Sequence, residues 1–223
     1  MIKTYTDRYG YSVEETDDFL LFKNEFGELE LGKYKGNASV VSVPVGVNVI
    51  SIDSFNGTPV EEILLPDSVQ IINSRAFMNC NCLKTIHIPE SVIRIHDHAF
   101  DGCKILQDIT MPKHLDFLGQ YAFRDTGLKT AIFPMGIKLI IGGPVYVSCP
   151  NLEVAVVVES EMKLNTGEFS KCEKLRDFYY DGPIDSLPPV LRLKIEMGKG
   201  ITCHSIQTIE ALYSIQNSEI KGH

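Results

Sequence analysis

Residues 69–91 read VQIINSRAFMNCNCLKTIHIPES, and residues 92–114 read VIRIHDHAFDGCKILQDITMPKH. Laid one over the other they agree at an aliphatic (Ile72, Ile95), a small residue before an aromatic (Ala76-Phe77, Ala99-Phe100) and a cysteine (Cys80, Cys103). They agree again at Leu83 and Leu106, at Ile86 and Ile109, and at Pro89 and Pro112. Outward from this pair the aromatic recurs as Phe55, Phe77, Phe100, Phe123, Tyr146 and Phe169. Cysteine follows it at Cys80, Cys103, Cys149 and Cys172, with Thr126 on the missing rung. Prolines 44, 66, 89 and 112 mark the other end of the unit, with Pro134 one residue early. A fixed period over this length is the signature of a repeat architecture.

Within each unit runs L-x-x-I-x-I. It appears as Val60, Ile63, Leu65; Leu83, Ile86, Ile88; and Leu106, Ile109, Met111. It continues as Leu128, Ala131, Phe133; Leu152, Ala155, Val157; and Leu175, Phe178, Tyr180. Apolar residues two apart alternate as in a strand, pointing inward, with the residue between them pointing out. A further apolar residue stands five before each aromatic, at Ile50, Ile72, Ile95, Leu118, Ile141 and Leu164. Each turn therefore supplies two short extended segments. One such unit cannot bury its own apolar face, so neighbours must stack.

The order I-x-x-x-A-F-x-x-C-x-x-L-x-x-I-x-I-P, explicit from Ile72 to Pro89 and from Ile95 to Pro112, resembles the BspA-like (Treponema-type) leucine-rich repeat family. The resemblance covers about residues 37–182 and recurs six times. It implies a right-handed, curved solenoid of short parallel strands, mainly β, used for protein contact. Departures cluster at Gly142-Gly143-Pro144 and at Glu168, where local irregularity of the stack is expected.

Both ends of such a stack expose sheet edges that need covering. Residues 1–36 carry Phe19-Leu20-Leu21-Phe22 and Leu29-Glu30-Leu31 around the turn-like Asn24–Gly27, and predict a hairpin cap. Residues 183–223 form the other cap. There Pro188-Pro189 breaks the pattern, and Ile206, Ile209, Leu212 and Tyr213 predict a closing amphipathic helix over about 205–220.

The formal charge of −8 argues against nucleic-acid binding and against docking on an anionic membrane. No apolar run is long enough to span a bilayer, and the amino terminus shows no secretory leader, so the expected compartment is the cytoplasm. Cysteines phased with the repeat read as small core residues; Cys82, out of phase, is the expected exposed thiol. His96 and His98 form the only close histidine pair and lack further ligands at metal spacing. No G-x-S-x-G occurs, and Gly198-Lys199-Gly200 lacks the rest of a phosphate loop. These readings predict no enzyme, no cofactor and no metal.

What a solenoid offers is a face. Its outward column runs Glu62 and Leu64, Thr85 and His87, Asp108 and Thr110, Thr130 and Ile132, Val154 and Val156, then Asp177 and Tyr179. The early rungs are polar. The late ones turn apolar, and Ile132, Val154, Val156, Asp177 and Tyr179, rimmed by Glu153, Glu159 and Asp181, are the candidate site for a protein partner or for self-association. Two alternatives stay open: a register slip of one residue would bury these side chains, and the carboxyl-terminal helix could cover them. The expected function is a non-enzymatic protein-binding module; the rival is a fragment or homologue of a secreted cell-surface adhesin that binds host or matrix proteins.

Overall fold

In the computed structural model, residues 2–24, 26–137, 142–158, 163–198 and 200–205 are described. An antiparallel meander of β1 (Lys3–Thr6), β2 (Ser12–Glu15), β3 (Phe19–Lys23) and β4 (Leu29–Tyr34) opens the chain. The hairpin between β3 and β4 turns on Asn24, whose side-chain oxygen accepts the amides of Phe26 (3.0 Å) and Glu28 (2.9 Å). Asn closes its own turn in this way because its short amide reaches the backbone that follows.

From β4 onward the strands run parallel and the solenoid begins. One sheet continues through β6 (Val47–Ile50), β8 (Ile71–Ile72), β10 (Arg94–Ile95) and β12 (Phe117–Leu118). The L-x-x-I-x-I segments form the opposite wall. There β5 (Val40–Ser42), β7 (Glu62–Leu64), β9 (Thr85–His87) and β11 (Asp108–Thr110) make one sheet. A second is made by β13 (Thr130–Phe133), β14 (Val154–Val157), β15 (Asp177–Tyr180) and β16 (Thr202–His204).

Between the walls the aromatic column is a stack of rings. Tyr34, Phe55, Phe77, Phe100, Phe123 and Tyr146 follow one another at centroid spacings of 5.1–5.3 Å, close to the rise between strands. Where cysteine follows the ring, its thiol does more than fill space. The buried thiols of Cys80, Cys103 and Cys149 donate to the carbonyls of Phe55, Phe77 and Phe123, each at 3.1 Å. Each carbonyl also accepts a donor from its own turn, Thr58 for Phe55, the Cys80 amide for Phe77 and Thr126 for Phe123, so the thiol supplies a further bond from the next turn.

The strand wall breaks between β11 and β13, one unit earlier than expected. Leu106 follows Phe100 by six residues, but Leu128 follows Phe123 by five. The shortened bend runs through Gly127, where a side-chain carbon would lie 2.6 Å from the Lys104 carbonyl oxygen. The interval alone does not break the wall, since Val60 also follows Phe55 by five and β7 still pairs with β9; beyond Gly127, however, β13 is not paired with β11. The backbone of Ile132 finds the Tyr146 hydroxyl instead, which accepts its N–H at 3.3 Å and donates to its carbonyl at 3.1 Å.

At Glu168 the expected irregularity is a substitution of partners. In five earlier steps the amide of an aromatic donates to the carbonyl of the residue before the next aromatic, as Phe77 does to Ala99 and Phe100 to Ala122, both at 2.8 Å. Two residues before the aromatic, Arg75, His98 and Tyr121 hold φ near +55 to +59° to allow this. Pro144 occupies that position ahead of Tyr146 and its ring forbids positive φ. The Glu168 carboxyl takes over, accepting the Tyr146 amide at 2.7 Å and the Val145 amide at 3.0 Å. The ring spacing from Tyr146 to Phe169 opens to 6.3 Å there.

Beyond the repeats, Pro188-Pro189 does more than end the pattern. Pro189 is the first residue of α1 (Pro189–Glu196), the position where a missing amide costs nothing, and the helix buries Leu191 against the core. After it, β16 adds a rung to β15. The helix expected over about 205–220 lies outside the described residues apart from Ser205.

Candidate protein-binding surface

Register places the outward residues of the strand wall in rows. Glu62, Thr85 and Asp108 form one row and Leu64, His87 and Thr110 another, across β7, β9 and β11. Between them Ile63, Ile86 and Ile109 point into the core. The six outward side chains and this backbone line a shallow groove of about 230 Å³. Leu64 stands 46% exposed at its edge, and Glu62, Thr85, His87 and Asp108 are exposed as well. A face of alternating charge, hydroxyl and imidazole is what period-two patterning leaves on the solvent side of a half-buried sheet.

The late rungs keep the same alternation. Ala131 pairs with Ala155 and Ala155 with Phe178, all in the core, while Ile132, Val156 and Tyr179 share an outward row. No register slip has exchanged the faces. The sequence nevertheless led to the wrong expectation for two members of the candidate patch. Ile132 is 5% exposed and Val156 2%, so both are covered rather than presented. Covering two neighbouring aliphatic side chains is worth about 1.5–3 kcal/mol each, which favours closure over this part of the wall.

Val154, Asp177 and Tyr179 remain half-buried. The added rung engages two of them: the Tyr179 ring stacks on His204 at 4.7 Å, and His204 Nε2 is hydrogen-bonded to Asp177 Oδ1 at 2.9 Å. Arg176 bridges Glu153 at 2.6 Å and Asp177 at 3.3 Å, so part of the acidic rim is neutralised within the chain. Asp181 accepts the Ser205 hydroxyl at 2.6 Å, and Glu159 lies outside the described residues. Sequence reading missed β16 because Thr202–His204 carries no aromatic or proline mark of the unit and its Cys203 follows Gly200, not an aromatic, by three; only Ile201 and Cys203, two apart, hint at alternation.

Chemistry-bearing side chains elsewhere are committed to structure. His98 Nδ1 and Arg124 both hold the buried Asp101, at 2.8 Å and 2.6 Å. His96 packs on Phe117, and burial lowers its pKa. Cys80, Cys103, Cys149 and Cys172 are buried and Cys82 is exposed. Among the described residues no three His, Cys, Asp or Glu side chains gather as a metal site would require.

A leucine-rich repeat protein from Bacteroides ovatus has a similar structure, with 31% identity and a TM-score of 0.66 over 74% of this chain and 46% of that one. This chain therefore spans less than half of that protein. The Treponema pallidum leucine-rich repeat protein aligns over 85% of this chain and 97% of its own, with 22% identity and a TM-score of 0.67. The pneumococcal vaccine antigen PcpA aligns over 95% of this chain and 46% of its own, with 17% identity and a TM-score of 0.57. No curated protein matches the sequence. Residues 35–186 match the BspA-type leucine-rich repeat region in six copies, and with the ring stack and strand walls in place the chain belongs to that family.

Proposed function

We propose that this chain is a non-enzymatic module that binds another protein on the outward face of its strand wall. The observation that carries the reading is the groove over β7, β9 and β11. Three successive rungs there present the exposed side chains of Glu62, Leu64, Thr85, His87 and Asp108 in two straight rows. An extended polypeptide laid across the rows would meet carboxylates, hydroxyls and one aliphatic anchor. Val154, Asp177 and Tyr179 add half-buried side chains further along the stack, beyond the break in the wall, whereas Ile132 and Val156 point outward but are covered. With a net charge of −8, a basic partner segment gains chiefly in encounter rate.

A photo-crosslinking residue placed at His87, in the cell that makes the protein, tests this directly. We expect one dominant cross-linked protein, lost when Thr85→Arg is added. The same probe at the exposed Glu173, on a bend away from the wall, should give none. Equal products from both positions, or none from His87, would defeat the reading.

We place the module in the cytoplasm; among the described residues no helix is long and apolar enough to cross a membrane. The second reading, a surface adhesin binding host or matrix proteins, is prompted by the vaccine antigen among the structural neighbours. The exposed Cys82 separates the two. A membrane-impermeant maleimide should label the chain only after lysis, with labelling reduced in Cys82→Ser. Labelling on intact cells would move the protein to the surface.

A further inference from the structure

The amino-terminal meander does more than close the stack. Between its outer face and the first turn of the solenoid opens a cleft of about 490 Å³, within the ~300–1,000 Å³ typical of ligand sites. Its walls include Asp7, Tyr9, Tyr11, Phe22, Asn24 and Glu30. Two local devices shape it. Asp7 Oδ1 accepts the amides of Tyr9 (2.8 Å) and Tyr11 (2.9 Å), which ties the bend between β1 and β2 and holds both tyrosines at the mouth. The Phe22 ring lies over Gly32, where a side-chain carbon would come within 2.0 Å of it; the absent side chain lets the ring form a wall.

The charged groups lining the cleft, Asp7 and Glu30, are both carboxylates. Glu30 receives the Ser51 hydroxyl at 3.1 Å and, at 3.4 Å, the Asn24 amide. Neither Asp7 nor Glu30 is ion-paired among the described residues, whereas Glu15, Asp53, Asp101 and Glu153 each hold a Lys or Arg. Lys23 borders the adjoining notch behind the tyrosines but does not line the cleft. Half-buried carboxylates beside aromatic faces suit one kind of guest, a planar cation that can stack and donate at once. The chain itself shows the stacking half: the Arg8 guanidinium sits 4.7 Å from the centroid of the Tyr9 ring.

We propose that this cleft receives an arginine side chain from an extended basic segment of a partner polypeptide. The guanidinium donates to the Glu30 and Asp7 carboxylates and lies against the Tyr11 and Phe22 rings. This site is on the meander, separate from the strand wall, and stands or falls independently of the groove there.

The test is calorimetric titration of the full chain with an acetylated, amidated Gly-Arg repeat peptide and with its citrulline counterpart, which keeps the shape and loses the charge. We expect the arginine peptide to bind and the citrulline peptide not to. Glu30→Gln and Asp7→Asn keep the internal acceptors and should preserve the melt, yet each should weaken binding about tenfold, as losing a charge-assisted hydrogen bond does. Tyr11→Ala should weaken it also. Glu173→Gln with Glu196→Gln, which removes twice the charge of either variant from exposed sites elsewhere, should leave affinity unchanged. Equal loss in that control pair would reduce the effect to general charge attraction. Equal binding of the citrulline peptide, or a neutral oligosaccharide competing for the cleft, would overturn the assignment.

Discussion

Replacing Phe100 by Ala is expected to lower the unfolding free energy by about 3–5 kcal/mol. The ring is fully buried and stacks on Phe77 at 5.1 Å and on Phe123 at 5.3 Å. In a linear stack each unit is held by its two neighbours, so one deletion removes ring contacts on both sides. No distant part of the chain can close the void. Phe26→Ala provides the comparison, because that ring is 80% exposed and its loss should change stability by no more than about 0.5 kcal/mol. Urea unfolding of the three proteins measures the difference. A change below about 1 kcal/mol at Phe100 would show that the ring column is filler, contrary to its packing.

The second large effect depends on pH. Burial pushes the Glu168 carboxyl up to about 8 from an ordinary 4.5, while the Tyr146 and Val145 amides pull weakly the other way. Because the folded value lies above the unfolded one, the folded state resists ionisation. The stability this group supplies is complete below about 4.5 and is lost as pH rises through about 8. At about 1.4 kcal/mol per unit, the full loss is on the order of 5 kcal/mol. Glu168→Gln keeps a carbonyl acceptor for the two amides and cannot ionise. It should match the wild type near pH 5 and exceed it by several kcal/mol above pH 8. Denaturation midpoints of the pair across that range give the difference curve directly. A flat curve would mean that the carboxylate is already ionised in the folded chain and held by its two amide donors.

Much of the architecture can be read from the repeated residues alone. Ile72, Ala76, Phe77, Cys80, Leu83 and Ile86 recur because each meets the same neighbours one turn above and below, so one period encodes one environment. Pro144 and Glu168 break the motif, and at Glu168 the backbone partner does change. The break between β11 and β13 was less visible, since every apolar mark stays in place across it.

The outward side chains are another matter. Leu64 and Ile132 occupy equivalent positions three rungs apart, yet one is 46% exposed and the other 5%. Their own strands set only which way they point; what lies over them comes from elsewhere in the chain. The cleft is of the same kind, joining Asp7, Phe22, Glu30 and Ser51 from segments that share no spacing. By itself the sequence determined the period, the inward residues and the family, because a repeated contact leaves a repeated residue. Only the tertiary structure decided which outward residues meet solvent, where the wall breaks and where a cleft opens, because those depend on contacts made once.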